Sequence, residues 1–173
     1  LLDMYTAYRA LGGDFKEMTV MIATPDLSRA RSGQSFGLGL ARMGAKLVYS
    51  GTTGLGVPPV IRAKLKAMNA NFTEVNDLTI GQHEEMLADE GVDLLYLPGC
   101  SVKKGDPGRD DFLKKMAEFY FTLEGLQKIK QKSKLKVSTE VATAKHVELC
   151  LEAGIDMLWI GARTTVNPFY VQE

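Results

Sequence analysis

The residues Thr24 to Ser32 read TPDLSRARS. They bring two guanidinium groups, Arg29 and Arg31, and two hydroxyls, Ser28 and Ser32, to the start of a helical pattern. The first backbone N–H groups of a helix lack internal partners, and the helix dipole favours negative charge there. The composition therefore suits an anion, either a phosphate or a carboxylate. Ser28, Arg31 and Ser32 are the candidate binding residues of this stretch. The competing structural reading pairs Arg31 with a local carboxylate such as Asp26.

The remaining chemistry-bearing residues say less. Gly37 and Gly39, followed by Gly44, faintly resemble a dinucleotide fingerprint, but they lie inside the helical pattern instead of before it. Close helix–sheet packing is the better account of them. His83 and His146 lack Cys or carboxylates at ligand spacing, apart from helix neighbours such as Glu84, Glu85 and Glu148. They read as solvent-facing helix positions, and no metal or cofactor is implied. Cys100 lies near Lys103 and Lys104, which can lower a thiol pKa, but no adjacent histidine offers a base. No catalytic residue stands out.

The elements that position the Arg31 stretch follow from pattern. Thr19 to Ala23 is a short apolar run rich in β-formers, bounded by Pro25 and Asp26. Ser32 is the expected cap of the next helix, in which Phe36, Leu40 and Met43 form an apolar stripe. Gly44 is placed to end that helix in a left-handed conformation, and Lys46 to Ser50 is a second strand. Strands joined through one helix need a crossover and a parallel sheet. Ligands of such sheets bind beyond the carboxyl ends of strands, where the strand order reverses.

Leu1 to Leu11 is helical in pattern and is stopped by Gly12-Gly13; no capping signal precedes it, which suggests an upstream segment. Beyond the second strand the pattern predicts a loop over Gly51–Gly56 and a helix from Pro58-Pro59 to Asn69. It then predicts a strand over Asn71–Asn76, a helix over Thr79–Glu90 and a buried strand over Val92–Leu97. A long loop follows to Arg109, then a helix over Asp110–Lys130 that can break near Thr122. Leu135–Ser138 and Ile155–Ile160 read as strands flanking a helix capped by Thr143. The expected fold is a three-layer, doubly wound α/β domain spanning 1–173, with six parallel strands in order 3-2-1-4-5-6.

With 173 residues the chain can bury a substantial core. Hydrophobic content of 45% and charged content of 24% are those of an ordinary globular protein. The net charge is zero, which leaves no electrostatic footprint for nucleic acid or an anionic membrane. No apolar run reaches the roughly 18 residues of a membrane helix. Cys100 and Cys150 are isolated, so a reducing, cytoplasmic setting is expected.

Several segments in order resemble the second, amino-acid-binding domain of aspartate and ornithine carbamoyltransferases, with the aspartate branch nearest. LLDMYTAYRALGG is similar to the inter-domain helix of that family, and VMIATPDLSRARSGQSFGLGLARMGAKL to its strand, Asp-Leu loop and Ser-containing helix. GLGVPP, VDLLYL and FYFTLEGL are similar to later family segments. The resemblance covers 1–132. It implies aspartate, ornithine or phosphate as ligands, and Arg31 as the arginine that meets the substrate carboxylate. The family's Arg and Gln after the fourth strand are replaced by Pro98-Gly99-Cys100-Ser101-Val102-Lys103-Lys104. Its His-Pro-Leu-Pro segment and its carbamoyl-phosphate domain have no counterpart here.

The stretch LKVSTEVATAKHVELCLEAGIDMLWIGARTTVNPFYVQE is similar instead to a barrel segment of 3-deoxy-7-phosphoheptulonate synthases. That resemblance implies a phosphate role for Arg163, although the metal ligands of those enzymes are missing. The structural alternative is an ion pair between Arg163 and Glu140. Together the two resemblances lead to the expectation of a chimera, 1–132 and 133–173, natural or engineered, without turnover of its own. The other expectations are a residual amino-acid or anion-binding module at Arg31, and half of a carbamoyltransferase needing a separate carbamoyl-phosphate domain.

Overall fold

Strand β1 (Thr19–Ala23) is the centre of the first sheet, and Val20, Met21, Ile22 and Ala23 are all buried. Burial on both faces is what a near-continuous apolar run with parallel neighbours produces. The computed structural model describes residues 2–16, 18–89, 91–98, 122–133, 135–141 and 143–160. Two compact units divide the chain, Leu1–Ala117 and Glu118–Glu173.

In the first unit β2 (Lys46–Gly51) lies parallel to β1, with Thr19 opposite Lys46 and Ala23 opposite Ser50. Strand β3 (Phe72–Asn76) continues outward from β2, and β4 (Leu94–Tyr96) pairs on the other side of β1. The order is β3-β2-β1-β4. It reverses at β1, so the topological switch point lies between β1 and β4, as expected for the first four strands. The helices of this unit are α1 (Leu2–Leu11), α2 (Arg31–Arg42), α3 (Pro59–Ala67) and α4 (Ile80–Asp89).

Helix α2 buries Gly33, Phe36, Gly37 and Leu40, which fall at i, i+3, i+4 and i+7. Met43, expected on this stripe, is exposed because the helix ends there. Gly44 follows with φ of 87°, the left-handed exit that a glycine allows. Gly37 faces Tyr49, and a Cβ there would stand 3.0 Å from Tyr49 Cζ and closer still to the hydroxyl oxygen. The glycines inside α2 thus serve close packing on the sheet. Helix α1 turns Met4, Ala7 and Leu11 to the core, leaving Tyr5 and Tyr8 exposed.

The second unit contains α5 (Leu123–Lys132), β5 (Ser138–Val141), α6 (Ala144–Glu152) and β6 (Met157–Ile160). Thr122 caps α5 by accepting from the Gly125 N–H at 3.0 Å, and Thr143 caps α6 by accepting from the His146 N–H at 3.3 Å. Asp156 links the start of the strand pair: its Oδ2 accepts from the Val137 N–H at 2.9 Å and its Oδ1 meets Lys130 Nζ at 2.8 Å. The Lys130 hydrogen bond, the Val137 N–H and the nearby lysine charges hold the Asp156 carboxyl below its usual range.

Among the described residues the six strands do not form one continuous sheet. Strand β5 pairs in parallel with β6, Ser138 opposite Met157 and Val141 opposite Ile160, in a separate two-stranded sheet. The order 3-2-1-4-5-6 therefore holds for the first four strands and stops at β4. Strand β4 has only three residues, so its outer edge offers few ladder groups. Strands β5 and β6 are joined through one helix and can satisfy each other without it. The fifth strand also begins at Ser138, later than the expected Leu135–Ser138, and Leu135 to Val137 lead into it. Cys100, Arg163 and the helix expected before Thr122 lie outside the described residues, as do the side chains of Glu140 and Trp159.

Candidate functional site

The turn between β1 and α2 is built around Asp26, which is 1% exposed. Its carboxylate accepts from Ser28 Oγ at 2.5 Å and stands 3.6 Å from Arg29 Nε. Its carbonyl accepts the N–H groups of Arg29 and Ala30, each at 3.2 Å. The Gln34 side chain, from the first turn of α2, donates to the carbonyls of Leu27 at 2.9 Å and Ser28 at 3.1 Å. A buried aspartate and an amide thus bind the turn to its own helix. At the base of the turn the Thr24 N–H donates to the Ser50 carbonyl at 3.0 Å, extending the β1–β2 ladder.

This geometry changes the assignment of the helix start. The Asp26 turn closes early, so Ala30 takes the cap position and Arg31 is the first helical residue. No side chain caps α2. Ser32, the expected cap, is one residue inside the helix. The carboxylate expected as a partner for Arg31 is held by Arg29 instead. Arg31 is exposed and forms no ion pair with a described residue. All three residues read from sequence are exposed. Ser28 gives its hydroxyl hydrogen to Asp26, and Arg31 stands at an uncapped helix start beyond the carboxyl end of β1.

A neighbouring loop, residues 52–57, covers the end of β2. The Leu55 carbonyl accepts the Ser28 N–H at 3.2 Å, and the Leu55 N–H donates to the Thr52 carbonyl at 2.9 Å. Gly51 lies under Leu27, where a Cβ would come 2.8 Å from Leu27 Cδ1. The hydroxyls of Thr24 and Thr52 are buried without a hydrogen-bond partner among the described residues.

His83 is a further feature of this end of the sheet, and its expected exposure is wrong. It is 0% exposed, with Nε2 at 3.2 Å from Ser50 Oγ. Burial pushes its pKa down to about 4. The spacing Ile80, His83, Leu87 carried the signal, since it puts the histidine on the apolar stripe of α4. Among the described residues no cluster of His, Cys, Asp and Glu could hold a metal ion, and no helix is long and apolar enough to cross a membrane.

No protein-family profile matches the chain. The ureidoglycine carbamoyltransferase of Rubrobacter xylanophilus is 38% identical over 132 residues, which is 76% of this chain and 38% of that protein. The chain carries a carbamoyltransferase-like domain. Its fold is that of the catalytic subunit of M. jannaschii aspartate transcarbamoylase, with a TM-score of 0.58, 19% identity and 96% of this chain matched to 47% of that one. An orthorhombic crystal form of the same subunit gives 0.51 at 18% identity, over 96% of this chain and 46% of that one. The chain thus spans 38% of the carbamoyltransferase relative and about half of the solved subunit.

A likeness over 96% of the chain takes in most of 133–173. That is the segment read from sequence as a phosphoheptulonate-synthase piece. The expectation of a chimera finds no support in these comparisons, and neither does an engineered origin.

Proposed function

We propose that this carbamoyltransferase-like domain is the acceptor-binding half of a carbamoyltransferase, with Arg31 meeting the carboxylate of the acceptor. The observation that carries the reading is the 38% identity to a carbamoyltransferase over 132 residues. The site's chemistry fits it. Arg31 offers a planar fork of donors suited to a carboxylate, and it stands beside an uncapped helix start. Carbamoyl transfer joins an amine nitrogen to the carbamoyl carbon as the bond from carbon to the phosphate oxygen breaks. Holding the acceptor by its carboxylate fixes the direction of its amine, which is where a positioning group gains rate. The carbamoyl-phosphate groups come, in this reading, from a separate domain.

Ureidoglycine is the acceptor that the relative's name suggests. Aspartate and ornithine are the other candidates, and all three carry a carboxylate. The free, buried thiol of Cys150 agrees with a reducing cytoplasm as the setting. Calorimetric titration of the chain with ureidoglycine, aspartate, ornithine and phosphate tests the reading. The expected result is saturable binding of at least one carboxylate ligand that is lost in Arg31→Ala. Binding that survives the substitution unchanged would move the site elsewhere.

A further inference from the structure

Two carboxylates near the end of the edge strand β3 hold the loop over residues 52–57 from both sides. Glu74 accepts from Arg62 Nε at 2.5 Å and from Nη2 at 2.8 Å. Its Oε2 also accepts the Val57 N–H at 3.3 Å. Asp77, one residue past the strand, accepts the Thr53 N–H at 3.1 Å and the Thr53 hydroxyl. Between these two anchors lies Leu55, whose carbonyl accepts the Ser28 N–H at 3.2 Å. Ser28 belongs to the turn that carries Arg31.

Local details favour a built support. A Cβ at Gly56 would come 3.0 Å from Glu74 Oε2 and 3.1 Å from Arg62 Nη2, so any side chain there would disturb the pair. Asp77 holds a φ of 57°, in the left-handed region that Asp tolerates better than most residues. Both carboxylates are engaged by donors, so neither presents a bare negative charge toward an anion near Arg31. The β2–β3 ladder already runs to Gly51 opposite Asn76, so these contacts are additional to those that join the strands.

We propose that Glu74 and Asp77 are positioning residues for the Arg31 turn. They fix the 52–57 loop, and the Leu55 carbonyl passes that position to Ser28. The functional meaning of this relay rests on Arg31 as the acceptor-binding residue, whereas its geometry does not.

The test compares amide hydrogen exchange in the full chain, in Glu74→Ala and in Asp77→Gly, which keeps the left-handed φ. Exchange at Ser28 should rise about tenfold in both, while the β1 amides of Val20 to Ile22 keep their rates. Glu74→Gln, which retains an acceptor for Val57, should restore much of the protection at Ser28. Affinity for aspartate or inorganic phosphate should weaken about fivefold in the two disruptive variants, as expected for coupling through one contact. An unchanged Ser28 rate beside a raised Val57 or Thr53 rate would overturn the relay. So would a uniform rise that includes β1, which would mark a general loss of stability. If the unaltered chain bound none of ureidoglycine, aspartate and ornithine, the reading of Arg31 would fall, and Ser28 exchange would still decide the relay.

Discussion

Tyr96, the last residue of β4, donates its phenolic hydrogen to Asp3 Oδ2 of α1 at 2.7 Å, across 93 residues of sequence. The Tyr96 ring also packs on Phe36 of α2 with centroids 4.3 Å apart. One side chain therefore ties the first helix, the β4 side of the switch point and α2 together.

That tie sets a prediction at alkaline pH. Burial first, then the hydrogen bond to Asp3, push the Tyr96 pKa up to about 12, against a smaller opposing effect of Ser32. The folded state holds this proton more tightly than the unfolded chain does. Its contribution is whole below pH ~10 and is lost as the pH climbs toward about 12. Tyr96→Phe should cost about 1 kcal/mol at neutral pH, the net worth of a hydrogen bond. It should also flatten part of the alkaline loss in denaturant midpoints. The remainder stays, because burial and Glu74 raise the pKa of Tyr49 as well. An unchanged alkaline slope in the variant would show that the tie is broken in solution.

His83 predicts the opposite limb. Its pKa is depressed to about 4 by burial, so the folded state resists protonation while the unfolded chain accepts it near pH ~6.5. Stability from this group is present above pH ~6.5 and falls as the pH drops toward about 4, by up to about 3 kcal/mol. Urea midpoints at pH 7 and at pH 4.5 should differ clearly in the unaltered chain and much less in His83→Gln. Equal acid loss in both would mean that carboxylates, and not this histidine, govern the acid limb.

Tyr49 and Gly37 give a packing prediction with a built-in control. The Tyr49 side chain is 1% exposed and its hydroxyl has no hydrogen-bond partner among the described residues. Gly37 leaves room for that oxygen. Gly37→Ala gains helix propensity of about 1 kcal/mol but forces a methyl into the phenol, so the net effect should be a loss of about 1–2 kcal/mol. Tyr49→Phe alone should be neutral or mildly stabilising, since it removes a buried, unmatched polar group. Combining the two should recover most of the alanine's cost. Additive losses would place the clash somewhere other than the hydroxyl.

What the sequence revealed tracks how local each feature is. The run TVMIA, the left-handed exit at Gly44 and the cap at Thr143 depend on a few neighbouring residues, and all were readable. The order of the first four strands followed from alternating strand and helix patterns. The break after β4 was not readable, because pairing at a sheet edge depends on how few groups a short strand offers, and pattern does not report strand length well. At the site, Arg31 was singled out from its place before the helix. Which arginine takes Asp26, and whether Ser32 caps, turned on where the chain closes a turn, a matter of a single residue's shift. His83 was misread because its polarity was weighed without the apolar residues spaced around it on the helix.

The last prediction concerns turnover. Carbamoyl transfer leaves phosphate behind, and the charge that grows on its oxygens must be met by cationic or N–H donors aimed at it. A proton must also leave the attacking amine. In the proposed reading Arg31 and the start of α2 are occupied by the acceptor's carboxylate, so they cannot also hold the departing phosphate. His83 is 0% exposed, with its Nε2 at Ser50, so it cannot reach an amine at the surface. The chain spans 38% of its carbamoyltransferase relative, and the phosphate-binding groups belong, in this reading, to the remainder. The purified 173-residue chain supplied with carbamoyl phosphate and aspartate, ornithine or ureidoglycine should therefore give product no faster than the uncatalysed background. Adding a separately produced carbamoyl-phosphate domain should raise the rate, and Arg31→Ala should abolish that gain. Phosphate release and carbamoylated product, measured together, separate transfer from simple hydrolysis. Product formation by the chain alone would sink the half-enzyme reading and require phosphate-binding groups within this chain.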